Sequence, residues 1–245
     1  MNFIYRNKSF FLKLKRHFNR IFNIELLKYP TPELDRKVKL LNFYKIDVVL
    51  DVGANIGQFG SELRNIGYKG RIISFEPTIN AFKKLKKLAN NDINWEVHHL
   101  SLGEKDGETT INLSENSVSS SILESLPELT AAAPKAKFIN TEHININQLD
   151  TIFYSLGLEG KRIFMKMDTQ GYEKNILEGA KNSLKKIIGI QLEMALLPTY
   201  QNALNFDEMH QYVTDLGFKL ESIESGYSNQ QTGQLLEVDG IYFKK

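Results

Sequence analysis

The sequence predicts a doubly wound α/β domain, built on a mostly parallel sheet of seven strands covered by helices on both faces. Three observations predict it. Apolar runs of strand length alternate with segments whose apolar residues recur at helical spacing, the pattern of a parallel sheet. The stretch DVGANIGQFG, Asp51 to Gly60, follows the first such run and opens a helix-like pattern, where these folds bind nucleotides. Two late runs, 218–222 and 237–243, read as a closing antiparallel pair.

The elements follow in order. Phe11, Leu14, Phe18 and Ile21 or Phe22 recur at helical spacing in a stretch dense in lysine and arginine, so a basic amphipathic helix is expected. Thr31 offers an N-cap with Pro32 at the first helical position, and Leu34, Val38 and Leu41 continue one apolar face. Ile46–Val52 is a buried strand, and Phe59, Leu63 and Ile66 mark a helix closed by Gly67. Arg71–Glu76 is the second strand. Phe82, Leu85 and Leu88 mark a helix opening after Thr78, and Trp95–Leu102 is the third strand. Glu108–Leu113 and Phe138–Ile146 are further strands, flanking the long insertion 114–137. Long loops in compact domains are often functional. Arg162–Asp168 and Ile187–Glu193 are strands separated by a helix with Ile176, Leu177 and Ala180 inward. Met209, Val213 and Leu216 form the last helix, before Gly217. The organisation is therefore an N-terminal basic helical extension, 1–45, and one domain, 46–245.

Composition narrows the function. The 245 residues are enough for one domain with a real core, and 42% hydrophobic with 24% charged residues is ordinary for a globular chain. With no cysteine, disulfides, thiolate metal sites and cysteine nucleophiles are excluded. This fits a reducing compartment, and a cytoplasmic protein is expected. A net charge of +2 does not imply a nucleic-acid partner. The charge is uneven, however. Residues 1–28 hold seven basic residues against Glu25 alone, a net of +6 that leaves −4 for the rest. Such a helix can lie on the inner membrane surface or dock on the domain with a solvated basic face. The longest apolar run there is Phe10-Phe11-Leu12, too short for a membrane span or a signal-peptide core.

The glycine loop suggests a ligand. Gly53 and Gly57 permit tight turning and close backbone approach. Glu76, 25 residues after Asp51, stands at the tip of the second strand, where a carboxylate can accept hydrogen bonds from both hydroxyls of a ribose. The loop lacks the G-x-G-x-x-G spacing that sets a helix N-terminus against a pyrophosphate. A ligand with a ribose and no phosphate fits, and S-adenosylmethionine is such a ligand.

The stretches DVGANIGQFG, ISFEPTINAF, SLGEKDGE, SVSSSIL and FMKMDTQGYEKNILEGA, in that order, and VDGIYFKK at the end, resemble the FkbM family of methyltransferases over residues 46–245. The resemblance implies a class I, Rossmann-like sheet and S-adenosylmethionine as methyl donor. It implies that Asp51, Gly53, Asn55 and Gly57 surround the methionine end of the cofactor and that Glu76 holds the ribose. Ile79 and Thr169 depart from the family pattern without removing a polar group the cofactor needs. The family usually methylates a hydroxyl, often on a sugar, glycan or secondary metabolite, so such a small molecule is the expected partner.

Methylating an alcohol requires a positioned oxygen and removal of its proton. Asp168 at the tip of the fourth main strand, Glu173 at the start of the next helix and Glu193 at the end of the fifth strand are the catalytic candidates. The same carboxylates could supply hard oxygen ligands to a magnesium-like ion, but no metal site is assigned. Glu173 has a plainer reading, as a helix-terminus cap. Ser101 and Glu104 follow the third strand, near the expected adenine, and Ser101 is taken as a cofactor residue. Ser119, Ser120 and Ser121 lie in the insertion, where their hydroxyls can meet a polyol, and Ser119 and Ser120 are taken as substrate-binding. His98, His99 and His143 show no metal spacing, and Trp95 and Tyr200 flank the pocket or fill the core. The alternatives are a nicotinamide-dependent oxidoreductase, a non-catalytic membrane-surface module and, as a lesser enzyme reading, methylation of nucleic acid.

Overall fold

The computed structural model describes residues 2–24 and 29–244, with side chains from Phe10 onward. Glu25 and Lys28, which entered the charge count of the N-terminal stretch, lie outside the described residues. The chain divides between Lys37 and Val38 into two compact units. In the first, α1 (Asn2–Phe22) is the expected basic helix. It is followed by the start of α2 (Pro32–Phe43), where the Thr31 hydroxyl caps the helix by accepting the Leu34 N–H at 3.3 Å. Among the described residues no helix is long and apolar enough to cross a membrane.

The second unit runs β1 (Val48–Val52), α3 (Gln58–Asn65), β2 (Arg71–Phe75), α4 (Ile79–Ala89), β3 (Trp95–His98), β4 (Ser101–Leu102) and β5 (Gly107–Ser114). It continues with α5 (Pro127–Ala132), β6 (Phe138–Asn147), α6 (Leu149–Ile152), β7 (Ile163–Met167), α7 (Glu173–Glu178), β8 (Ile187–Ala195), α8 (Phe206–Asp215), β9 (Lys219–Ser225) and β10 (Glu237–Phe243). The main sheet has seven strands in the order β3-β2-β1-β7-β8-β10-β9. All are parallel except β10, which runs antiparallel to both β8 and β9. This is the expected doubly wound sheet with its antiparallel closing strand.

Alternation along the strands divides the core. Val48, Leu50 and Val52 pack with Ile176, Leu177, Met209 and Val213 on one face, while Val49 packs with Leu63, Leu85 and Phe164 on the other. Strands buried on both faces read as continuous apolar runs, which is why β1, β7 and β8 stand out in the sequence.

Three expectations change in detail. The run Trp95–Leu102 is two strands. β3 ends where the His98 carbonyl accepts the Glu76 N–H at 3.1 Å, and Ser101–Leu102 then leaves the main sheet to pair with β6. The strands β5 and β6 pair with each other, antiparallel, in a separate three-stranded sheet, β4-β6-β5. The insertion is ordered by α5, a 3-10 turn at Pro134–Ala136 and bridges from Asn112 to Ser121 and from Ser125 to Tyr200.

Candidate active site

The site is built at the C-terminal ends of β1, β2, β7 and β8. β1 ends in the loop 53–57, where Gly53 (φ 75°), Asn55 (φ 48°) and Gly57 (φ 95°) all take the left-handed conformation. A side chain at Gly53 would meet the Asp168 carbonyl oxygen at 2.0 Å, so this loop packs backbone to backbone on the end of β7. The Asp168 N–H also donates to the Val52 carbonyl at 3.1 Å. The Phe75 carbonyl accepts the N–H groups of Gly53 and Ala54.

Glu76 pins the loop. One carboxylate oxygen accepts the Asn55 N–H at 2.8 Å; the other accepts the Thr78 N–H at 2.8 Å and its hydroxyl at 2.6 Å. Burial pushes the Glu76 carboxyl up, against these three hydrogen bonds that favour its charged form. Of roughly four acceptor positions on the carboxylate, about one stays open.

Asp51 is fully buried within β1. Ser74 Oγ donates to its Oδ2 at 3.0 Å and in turn accepts from Trp95 Nε1 at 3.0 Å. Oδ1 has no hydrogen-bond donor, and neither has the buried Oδ1 of Asn55. Lys166 lies opposite Asp51 in strand register, its Nζ 3.6 Å from Asp51 Oδ1 and 3.2 Å from Asp168 Oδ2. Burial opposes the lysine charge, but the two carboxylates outweigh it and hold Lys166 above its ordinary value. For Asp51, burial raises the carboxyl despite Lys166 and Ser74.

Beyond β7 the chain turns through Gln170, again left-handed at φ 56°. Its Nε2 donates to Asp168 Oδ1 at 3.0 Å and to Glu193 Oε2 at 2.8 Å, and the Tyr200 hydroxyl lies 2.8 Å from its Oε1. One amide therefore ties Asp168, whose side chain is 41% exposed, to the half-buried Glu193. Behind it, Glu173, Glu193, Glu237, Thr199 and Tyr200 line a small cavity of about 20 Å³, room for roughly one water. Burial, followed by the charges of Asp168, Glu237 and Glu173, holds Glu193 well above the carboxylate range. Burial raises Glu237 as well, and the charges of Asp168 and Asp239 add to it. Burial raises Glu173 to about 7 although its Oε1 accepts the Thr169 N–H (2.8 Å) and hydroxyl (3.0 Å).

The structure thus brings Asp51, Gly53, Asn55, Gly57 and Glu76 to one loop cluster, and Asp168, Glu173 and Glu193 to the neighbouring strand ends. The insertion reaches both: the Ser117 carbonyl accepts from Asn55 Nδ2 at 3.2 Å, and Ser121 Oγ donates to the Gln170 carbonyl at 2.8 Å. Ser119 and Ser120 are engaged inside that loop, Ser119 Oγ accepting from Asn116 and Ser120 Oγ from the Ser114 N–H. The Ser101 hydroxyl turns to the Leu102 carbonyl, and the Glu104 carboxylate accepts the Tyr172 hydroxyl. His98 stacks on Phe75 and His99 on Phe82. Among the described residues no group of three or more His, Asp or Glu side chains is arranged to hold a metal ion.

Sequence reasoning missed Lys166, Gln170 and Glu237. Lys166 carried a signal, a lone charge in the apolar run Ile163–Met167 of a strand buried on both faces. The other two carried none.

The model of the methyltransferase FkbM domain matches residues 51–220. No curated protein matches the chain. Among solved structures, the plantazolicin methyltransferase BamL, in complex with a triazolic desmethylPZN analog and SAH, aligns at 12% identity and TM-score 0.47, covering 84% of this chain and 82% of its own. TehB from Haemophilus influenzae aligns at 12% identity and TM-score 0.44, covering 94% and 67%. The precorrin-6y C5,15-methyltransferase from Geobacter metallireducens aligns at 13% and 0.41, covering 90% and 92%.

Proposed function

Because the chain belongs to the FkbM family of S-adenosylmethionine-dependent methyltransferases, we propose that it methylates a hydroxyl on a sugar, a glycan or a secondary metabolite. Family membership sets aside the nicotinamide-dependent oxidoreductase and the non-catalytic module. Bound S-adenosylmethionine supplies an electrophilic methyl group on sulfur. The residues fit that group. The buried, donorless Oδ1 of Asn55 can accept from a methionine ammonium, Asp51 with its Lys166 partner sets the charge beneath the loop, and the left-handed loop 53–57 admits close backbone approach. The remaining acceptor position of Glu76 suits a ribose hydroxyl.

The observation that carries the reaction type is Asp168. Its carboxylate is partly exposed beside the loop, whereas Glu173 and Glu237 are buried behind it and Glu193 is half-buried. Lys166 and Gln170 fix both of its oxygens from the protein side. In the proposed reaction Asp168 orients the substrate hydroxyl and accepts its proton as the oxygen bonds the methyl carbon. Glu193 and Glu173 act from behind, through Gln170 and Thr169. Ser119 and Ser120 serve by shaping the loop that borders the substrate. The test is transfer of a labelled methyl group to a panel of polyhydroxyl acceptors. An alkali-stable ether product supports the reading. Label on nitrogen, or in an alkali-labile ester, overturns it.

A further inference from the structure

The strongest feature outside the site is α1. From Phe10 onward it carries Phe10, Phe11, Leu14, Phe18, Ile21 and Phe22, all exposed, with Phe11 at 65% and Ile21 at 60%. At 100° per residue these six side chains fall within an arc of about 120°. The rest of the circumference holds Leu12, Lys13, Lys15, Arg16, His17, Asn19 and Arg20. No acidic residue occurs from Asn2 to Phe22. Phe18 and Phe22, one turn apart, lie with ring centroids 4.4 Å apart, so the apolar stripe is continuous.

An apolar stripe this large needs a cover, and charge selects among the covers. A second copy packed stripe to stripe would gather two sets of cations with no acidic residue of α1 to pair them. A nucleic acid would satisfy the lysines and arginines but leave the phenylalanines in water. An anionic bilayer satisfies both faces, taking rings into the headgroup–acyl boundary and cations onto its phosphates. The 21 residues are about 30 Å long, but their composition does not suit a span. The charge outside residues 1–28 sums to −4, so the net positive charge of the chain lies at this end.

We propose that α1 is an interfacial anchor that lies in the plane of an anionic lipid surface. Phe10, Phe11, Leu14, Phe18, Ile21 and Phe22 insert, and Lys13, Lys15, Arg16 and Arg20 rest on headgroups. This docking brings the enzyme to a lipid surface independently of its catalytic residues.

The test is sedimentation of the full-length protein with phosphatidylcholine vesicles, with and without phosphatidylglycerol. The protein cosediments only with the anionic vesicles at about 0.1 M salt. Binding weakens at about 1 M, where the Debye length falls from about 10 Å to about 3 Å. The double variant Phe11→Ser, Phe18→Ser loses at least about tenfold in vesicle affinity, because two buried rings are removed. Its S-adenosylmethionine affinity stays that of the parent, which shows that the domain is folded. Three results overturn the proposal: no sedimentation at low salt, a double variant that sediments like the parent, or a lipid-free dimer that the double variant abolishes. Loss of cofactor binding in the parent would instead count against the methyltransferase reading, so the two failures are separable.

Discussion

Lys166 and Asp51 face each other in register on neighbouring parallel strands, Nζ 3.6 Å from Oδ1, with both side chains buried. A carboxylate on a strand covered on both faces keeps its charge only if a cation accompanies it. The pair therefore fixes a charge beneath the glycine loop, and Lys166 extends it to Asp168 at 3.2 Å. The first prediction follows. Lys166→Met leaves Asp51 buried and uncompensated, costing about 3–5 kcal/mol of unfolding free energy. Lys166→Met combined with Asp51→Asn restores part of that loss. Denaturant titration of the single and double variants measures the coupling, and additive losses would show that the pair does not interact.

Glu76 carries the second prediction. It holds the loop through Asn55 and Thr78 and keeps about one acceptor position open for the proposed ribose. Glu76→Ala removes the acceptor and the loop anchor together, a loss of about 1.5–3 kcal/mol, or roughly 10- to 150-fold in S-adenosylmethionine affinity. Calorimetric titration reads it. Parent-like affinity in the variant rules Glu76 out of the cofactor site.

The third prediction concerns pH. Burial raises Glu173 from 4.5 in the unfolded chain to about 7 in the folded one. Between those values the folded state binds more protons than the unfolded state, so stability falls as pH rises from about 4.5 to about 7. Above that the penalty is complete, up to roughly 3 kcal/mol at ~1.4 kcal/mol per pH unit. Glu193 shifts in the same direction and adds to the slope. Glu173→Gln keeps an Oε1 acceptor for Thr169 and removes the titration. Its melting temperature should therefore vary less across this window and exceed that of the parent at pH 8. An unchanged slope would remove Glu173 as its source.

The same burial explains what the sequence could and could not reveal. β1, β7 and β8 are legible because strands covered on both faces must be apolar throughout, and Asp51 and Glu76 are legible because they interrupt or end such runs. Asp168 and Glu193 are legible in the same way, as acids at strand tips. Gln170 is not, because its role arises from a left-handed turn that no spacing encodes and from partners 23 and 30 residues away. Glu237 meets Glu193 only because β10 returns antiparallel beside β8. The run Trp95–Leu102 reads as one strand because both of its halves pair, but they pair in different sheets.

The last prediction addresses the chemistry. The Asp168 side chain is partly exposed at the tip of β7, with Lys166 on one oxygen and Gln170 on the other. Those contacts aim the carboxylate without burying it, as a proton acceptor for a substrate hydroxyl requires. Asp168→Asn keeps the shape and removes the basicity, so turnover should fall by about 10²–10⁴. Cofactor affinity should change little, since the glycine loop contacts the Asp168 backbone rather than its side chain. Gln170→Ala should also lower turnover while the cofactor still binds, because it frees Asp168 from one side and leaves Glu193 without its amide donor. Single-turnover rates and cofactor titrations on the two variants separate the roles. Normal turnover in Asp168→Asn, or outright loss of cofactor binding, would show that Asp168 is not the base. Loss of parent activity on adding a chelator would instead show that a divalent ion takes part in acidifying the substrate hydroxyl.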